Sequence, residues 1–141
     1  MSNNVANMTI GIVAAGNTQA AAQPIWAYSY YNQISTCTSD ANGVVLPGSV
    51  TGSTLGNSSV QSYNVPYVIR NDGVATCQVY PPTGAQIDAL GSNAAFALPA
   101  GSVASFTAQS ATQWYALLTG SSGLAISAGQ TANAGGGQAD A

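Results

Sequence analysis

Lysine, glutamate and histidine are missing altogether from this 141-residue chain, whose charged side chains are Arg70 and the aspartates Asp40, Asp72, Asp88 and Asp140. Each absence removes a class of function. Binding a nucleic-acid backbone means neutralising several phosphates with Lys or Arg, so a chain with one arginine is expected to have no nucleic-acid partner. Without histidine, neither a serine nor a cysteine nucleophile has its usual base. Metal sites draw on His, clustered Cys or clustered carboxylates; scattered aspartates and two cysteines make no such cluster, and no metal or cofactor is expected. What remains for catalysis is an aspartate pair of the kind used in glycoside hydrolysis, drawn from Asp40, Asp72 and Asp88. Asp40 and Asp72 each fall in a predicted turn, where aspartate is favoured for its own backbone hydrogen bonds, and the chain reads as a protein without enzymatic activity.

Long apolar runs are also lacking. None approaches the roughly 18 residues that span a bilayer, and no membrane association is expected. The first seven residues are polar, uncharged and without the basic start of a secretory leader, so the product reads as cytoplasmic when made. Cys37 and Cys77 stand 40 positions apart, with neither metal-ligand nor redox spacing. Two buried free thiols is one reading and a disulfide the other.

The scarcity of charge has a further consequence. Soluble domains keep about a quarter of their residues charged, whereas here only 4% are, and Ser, Thr, Asn, Gln and Gly take their place. A neutral extracellular or low-complexity surface would explain this; so would a surface that meets other protein in a fixed assembly. Isolated β proteins blunt exposed edge strands with charges, Lys especially. With none to place there, the edges are expected to be covered by the chain's own arms, by a copy of itself or by a partner.

What the chain does contain is β text, enough of it for one domain that buries about two-thirds of its unfolded surface. Residues 1–23 read as an N-terminal arm, with Met8-Thr9-Ile10-Gly11-Ile12-Val13 as a short strand and residues 19–23 as a turn stopped by Pro24. From Ile25 to Thr38 the pattern predicts a strand with Trp26, Tyr28 and Tyr30 on one face and Ala27, Ser29 and Tyr31 on the other. An Asn42-Gly43 turn leads into Val44-Val45-Leu46, and residues 48–62 read as a surface loop. Residues 65–70 and 74–80 flank Asn71-Asp72-Gly73 and predict a hairpin, with Arg70 and Asp72 as a local ion pair. Pro81-Pro82-Thr83-Gly84, residues 90–93 and Pro99-Ala100-Gly101 then punctuate short strands at about 8–12-residue spacing, the last at residues 113–118 with Trp114 in the core and Tyr115 at its margin. That spacing indicates a sandwich or barrel. After Gly120 the apolar weight falls away, and composition predicts a flexible Gly/Ala-rich tail over residues 121–141. The fold class is therefore all-β: a sandwich over residues 24–120 between an arm and a tail. Period-2 aromatics belong more often to a core or a subunit interface than to a sugar platform, but the Trp26/Tyr28/Tyr30 face keeps a glycan-binding alternative open.

Val79-Tyr80-Pro81-Pro82-Thr83-Gly84-Ala85-Gln86-Ile87, with Leu90-Gly91, Asn93-Ala94-Ala95, Ala100-Gly101, Phe106 and Ser110-Ala111-Thr112-Gln113-Trp114-Tyr115, resembles the shared C-terminal pattern of a group of small tailed-bacteriophage virion proteins. Upstream, Ala14-Ala15-Gly16-Asn17-Thr18-Gln19-Ala20, Gly43-Val44-Val45-Leu46-Pro47 and Val68-Ile69-Arg70-Asn71-Asp72-Gly73 are similar too, so the resemblance covers most of residues 10–118. Within that group the size and neutral β character are most like head decoration, or cement, proteins. The resemblance implies a jelly-roll-like sandwich, a homo-oligomer (a dimer preferred to a trimer), the major capsid protein as partner and a place on the exterior of the virion after synthesis in the host cytoplasm. The alternative within the same setting is a tail or fibre module that binds a host-surface glycan. The residues expected at an interface are Ile10, Ile12, Trp26, Tyr28, Tyr30 and Tyr31, with Leu124 and Ile126 in the tail, which lies outside the resembling pattern.

Overall fold

Ten β-strands in two sheets enclose a single core in the computed structural model, which describes residues 8–48 and 64–121. Among these residues there is no helix, hence none long and apolar enough to cross a membrane. In chain order the strands are β1 Met8–Val13, β2 Gln23–Pro24, β3 Tyr31–Thr36, β4 Gly43–Val45, β5 Pro66–Asn71, β6 Cys77–Tyr80, β7 Gln86–Ile87, β8 Phe96–Leu98, β9 Ser102–Ala108 and β10 Gln113–Ser121. The larger sheet has the order β1-β3-β5-β9-β10-β7, the smaller β2-β4-β6-β8.

The chain therefore changes sheet at every step as far as β9. β3 lies parallel to β1 and β5 parallel to β3 in one layer, while β4 lies parallel to β2 and β6 parallel to β4 in the other. Parallel neighbours need a long crossover, and here each crossover is a strand of the opposite sheet. The first six strands thus form a flattened coil of three two-strand turns. β8 against β6, β9 against β5 and β10 against β9 then close it with antiparallel pairs, and β7 runs parallel to β10 at the far edge. A jelly roll is built from antiparallel strands. With parallel pairing throughout the coil, the described strands form an all-β, sandwich-like fold that does not follow that connectivity.

Strand periodicity sets the core. In β9, Ser102, Ala104, Phe106 and Ala108 are buried while Val103, Ser105 and Thr107 alternate outward. Tyr67 and Ile69 of β5 and Trp114 of β10 join them from the larger sheet, and Val44, Val79 and Leu98 meet them from the smaller one. The Tyr67 ring lies 5.7 Å from that of Trp114, and Phe96 meets Phe106 edge-on at 5.3 Å. Full burial of side chains of this size contributes about 1.5–3 kcal/mol each. Cys37 and Cys77 are buried free thiols in the same core.

Three local expectations are corrected. Residues 65–70 and 74–80 do not form a hairpin, because β5 and β6 belong to different sheets. The Asn71 side chain is buried between the layers, donating to the carbonyls of Ala75 and Leu98 and accepting the Gly73 N–H, and this turns the chain out of one sheet and into the other. Over its described part, the N-terminal arm is built into the fold. β1 is the edge strand of the larger sheet, Ala15 bridges Gly43, and the Gln19 side chain donates to the Pro81 carbonyl. The strand expected from Ile25 starts only at Tyr31. The Ser29 N–H closes a turn on the Trp26 carbonyl, and the Tyr67 hydroxyl claims the Ala27 carbonyl at 2.7 Å, so neither carbonyl is left for a ladder. The 122–141 tail with Leu124 and Ile126, and most of the 48–62 loop, lie outside the described residues.

Candidate functional site

Two surfaces combine exposed apolar side chains with a defined backbone setting. The first is the open side of the sandwich, where edge strand β1 of the larger sheet faces edge strand β2 of the smaller. Between them runs a groove of about 410 Å³ lined by Thr9, Ile10, Ile12, Gln23, Pro24, Trp26 and Asn32, among others. Among the described residues, no charged side chain lines it.

Both strands bordering the groove are interrupted. In β1 the register to β3 slips between Thr9 and Ile12, and Gly11 occupies the slip at φ 80°, a conformation that costs an L side chain about 1–2 kcal/mol. The slip turns Ile12 into the core, 9% exposed, while Ile10 stays 43% exposed, although regular alternation would put both on one face. The Gly11 N–H is taken by the Gln33 side chain at 3.0 Å. In β2, Pro24 has no N–H to offer, and the N–H of the following Ile25 is held by Val45.

The floor of the groove is a neutral hydrogen-bond network. The Ser29 hydroxyl donates to Asn32 Oδ1 at 2.7 Å, the Asn32 amide donates to the carbonyls of Ser29 and Val68, and the Thr9 hydroxyl lies 2.7 Å from that of Ser29. Trp26, 43% exposed, stands at the rim with Tyr28 against it edge-on at 5.5 Å. That contact restricts the indole plane and leaves apolar ring surface in solvent.

The second surface is the outward face of the larger sheet. Strand register aligns Leu117 with Ser105, Val68, Tyr31 and Met8, one residue from each of five strands. Leu117 is 63% exposed; Tyr115, in the adjoining row beside Thr107, is exposed as well. The charges at this end of the face are Arg70 and Asp72, and they pair with each other at 2.8 Å. The Arg70 guanidinium, helped by the Gln33 amide, holds the Asp72 carboxyl below the ordinary carboxylate range.

The residues expected at an interface are therefore distributed. Trp26 and Ile10 line the groove with Tyr28 packed against Trp26, Ile12 is buried beneath it, Tyr30 packs its ring 5.2 Å from the core ring of Tyr67, and Tyr31 belongs to the outward sheet face. The groove's other members, Thr9, Gln23 and Asn32, carry no sequence signal of their own. Leu117 carried one that was missed: Tyr115 and Leu117 are large apolar residues on the face opposite Trp114 and Ala116, so both faces of that strand read as apolar. The three aspartates among the described residues are each engaged within the fold. Asp40 Oδ1 accepts the Thr76 N–H, Asp88 Oδ1 accepts the Ala116 N–H, and Asp72 is held by Arg70 and Gln33. Among the described residues no three His, Cys, Asp or Glu side chains cluster as a metal site.

Compared with models of protein families, with characterised proteins and with solved structures, the chain matches none of them.

Proposed function

We propose that this is a structural protein without enzymatic activity that attaches to the outside of an assembled phage capsid and stabilises it. The reading starts from the resemblance of residues 10–118 to small tailed-phage virion proteins. The observation that carries it further is the Leu117–Val68–Tyr31–Met8 row: a five-strand sheet face on which Leu117 and Tyr115 are exposed, Val68, Tyr31 and Met8 are half-buried, and Arg70 and Asp72 pair with each other. Exposed apolar side chains gathered on one sheet face mark a contact surface, and a lattice of capsid subunits would supply the partner. With that ion pair internally neutralised, the face gives two copies little electrostatic reason to avoid one another, in keeping with a homo-oligomer.

The mechanism follows from linkage. A protein that binds the assembled lattice and not its separated subunits shifts the equilibrium towards assembly by RT ln(1 + [L]/Kd). An oligomer that grips neighbouring subunits makes its second contact effectively intramolecular, which multiplies occupancy without new chemistry. With so few charges, the attachment rests on apolar burial and neutral hydrogen bonds, which salt screens little.

The test is to mix the purified chain with capsids that lack it and with unassembled capsid protein. Expected are saturable occupancy of capsids alone, a raised capsid melting temperature, and occupancy that changes little between low and about 1 M salt, where charge–charge contacts are screened within about 3 Å. Failure to bind assembled capsids, or a steep loss of occupancy in salt, overturns the reading.

A further inference from the structure

The groove between β1 and β2 is unused by a contact through the outward sheet face, and its composition specifies a ligand. The geometry points to a binding site for a neutral saccharide, with Trp26 as the stacking platform. The groove holds about 410 Å³, within the range of small-ligand pockets, roughly 300–1,000 Å³. Its accessible polar lining is the exposed Gln23 amide and strand-edge backbone, groups that exchange hydrogen bonds with sugar hydroxyls, while Asn32 and Thr9 are held by Ser29 beneath them. Because no charged side chain among the described residues lines it, an anionic ligand would find no counter-ion there. A sugar ring presents one comparatively apolar face of C–H groups, which is what a half-exposed indole accepts. Tyr28, edge-on to Trp26, limits the freedom the indole would lose on binding.

The competing occupant for a site between two sheet edges is an extended peptide that adds a strand. The edges argue against it. The Gly11 bulge breaks the β1 ladder and its N–H is already taken by Gln33, while Pro24 offers β2 no donor. Bulges and edge prolines are how β proteins prevent strand addition. A compact ligand needs no continuous ladder and can use the remaining groups singly.

The inference does not rest on capsid attachment. Trp26 lies at the open edge and Leu117 on the outward sheet face, so either reading can fail while the other stands. The test titrates the full chain with maltotriose, cellotriose, mannotriose and chitotriose, and with sialyllactose and an alternating Thr/Val peptide for comparison. Binding is followed by tryptophan fluorescence and by amide chemical shifts. Trp114 is fully buried, so Trp26 is the indole a surface ligand reaches. Expected is saturable binding of at least one neutral sugar with millimolar or tighter Kd, shifts at residues 9–12 and 23–26, an affinity loss of about tenfold or more in W26A, and retention in W26F. Should W26A fail to fold, Q23A, at an exposed position, is expected to weaken the same binding. No saturation by any neutral sugar, affinity unchanged in W26A, preference for sialyllactose, or ladder-type shifts along β1 with the peptide each overturn the proposal.

Discussion

The side-chain amide of Asn71, at the end of β5, donates to the main-chain carbonyl of Leu98, at the end of β8, at 3.0 Å, and so ties the two sheets together through one buried group. The same side chain donates to Ala75 and accepts from Gly73, so all its bonds are made inside the protein. N71A strands the buried Leu98 carbonyl and takes this partner from the part-buried Ala75 carbonyl and Gly73 N–H, and a buried group left unsatisfied costs about 1–3 kcal/mol. A loss of about 3 kcal/mol in urea-unfolding free energy is expected. N71D keeps the shape but turns a carboxyl towards two carbonyl oxygens, which favours its protonated, donating form. Its folded-state pKa is raised, so that variant should be most stable below about pH 4, the ordinary aspartate range, and lose stability as pH rises. A flat profile for N71D would contradict the geometry.

Asn71 also shows where sequence reading ends. The alternation of β9 and β10, the Pro/Gly corners and the buried Trp114 were all legible, because period 2 and turn chemistry are local properties. Asn-Asp-Gly spells a tight turn equally well within one sheet or between two. What decides is a bond to Leu98, 27 residues on, and no local pattern contains it. The aromatic stretch divides in the same way. Its alternation was legible, since Ile25, Ala27 and Ser29 are buried and Trp26 is exposed, but the Tyr67 hydroxyl on the Ala27 carbonyl removes the ladder. Parallel pairing between alternate strands, and a groove made by two edges meeting, are tertiary facts. Trp26 was visible as a candidate; the cavity beside it was not.

Gly73 packs its backbone against Cys37 where the chain passes between the sheets. A Cβ there would stand 2.5 Å from the Cys37 nitrogen and 2.7 Å from its Cβ. The obstruction is mainly backbone, which cannot rotate away, and the Cys37 carbonyl is already fixed by the N–H groups of Val74 and Ala75. G73A should therefore cost about 1–3 kcal/mol, the usual range for overpacking. It should show as a lower urea midpoint with unchanged m-value.

Cys37 and Cys77 give the fold its alkaline limit. Burial pushes both thiols above their ordinary range, Cys77 the more strongly, with the neighbouring Cys37 adding to its shift. On unfolding, each returns to about 8.5. Above that pH the unfolded chain ionises while the folded chain keeps its protons, so the stabilisation is complete below about pH 8.5 and declines as pH rises towards the folded values. With no histidine in the chain, stability should be flat from about pH 5 to 8. Urea midpoints measured in reductant should then fall from about pH 8 to 10, and the C37A/C77A double variant should flatten that decline relative to its own neutral-pH value.

Trp114 fills the centre of the core, yet its indole N–H has no hydrogen-bond partner among the described residues. A buried donor left unsatisfied costs about 1–3 kcal/mol. W114F removes that donor along with some volume, and the two effects oppose each other; W114A loses nearly the whole ring for a cost of about 3–5 kcal/mol. The expectation is a change below about 1.5 kcal/mol for W114F beside a severe loss for W114A, read by thermal or urea unfolding. Equal losses would mean that the indole N–H is satisfied after all.

Leu117 separates contact from folding. Its side chain is 63% exposed on the outward face, and the residues aligned with it across the sheet are half-buried and neutral. L117D therefore removes little intramolecular packing, and unfolding should move by no more than about 0.5 kcal/mol, as for other surface changes. If this face docks onto a capsid lattice, the same aspartate must be desolvated against a partner selected for a neutral surface, at a cost of several kcal/mol. Because an oligomer repeats the contact, the losses multiply. Capsid occupancy should then fall by at least a hundredfold in apparent affinity while the melting temperature of the free protein stays within about 2 °C. W26A, at the open edge, should leave occupancy unchanged. Occupancy that survives L117D would move the attachment site off this face, even if the protein proves to be a capsid component.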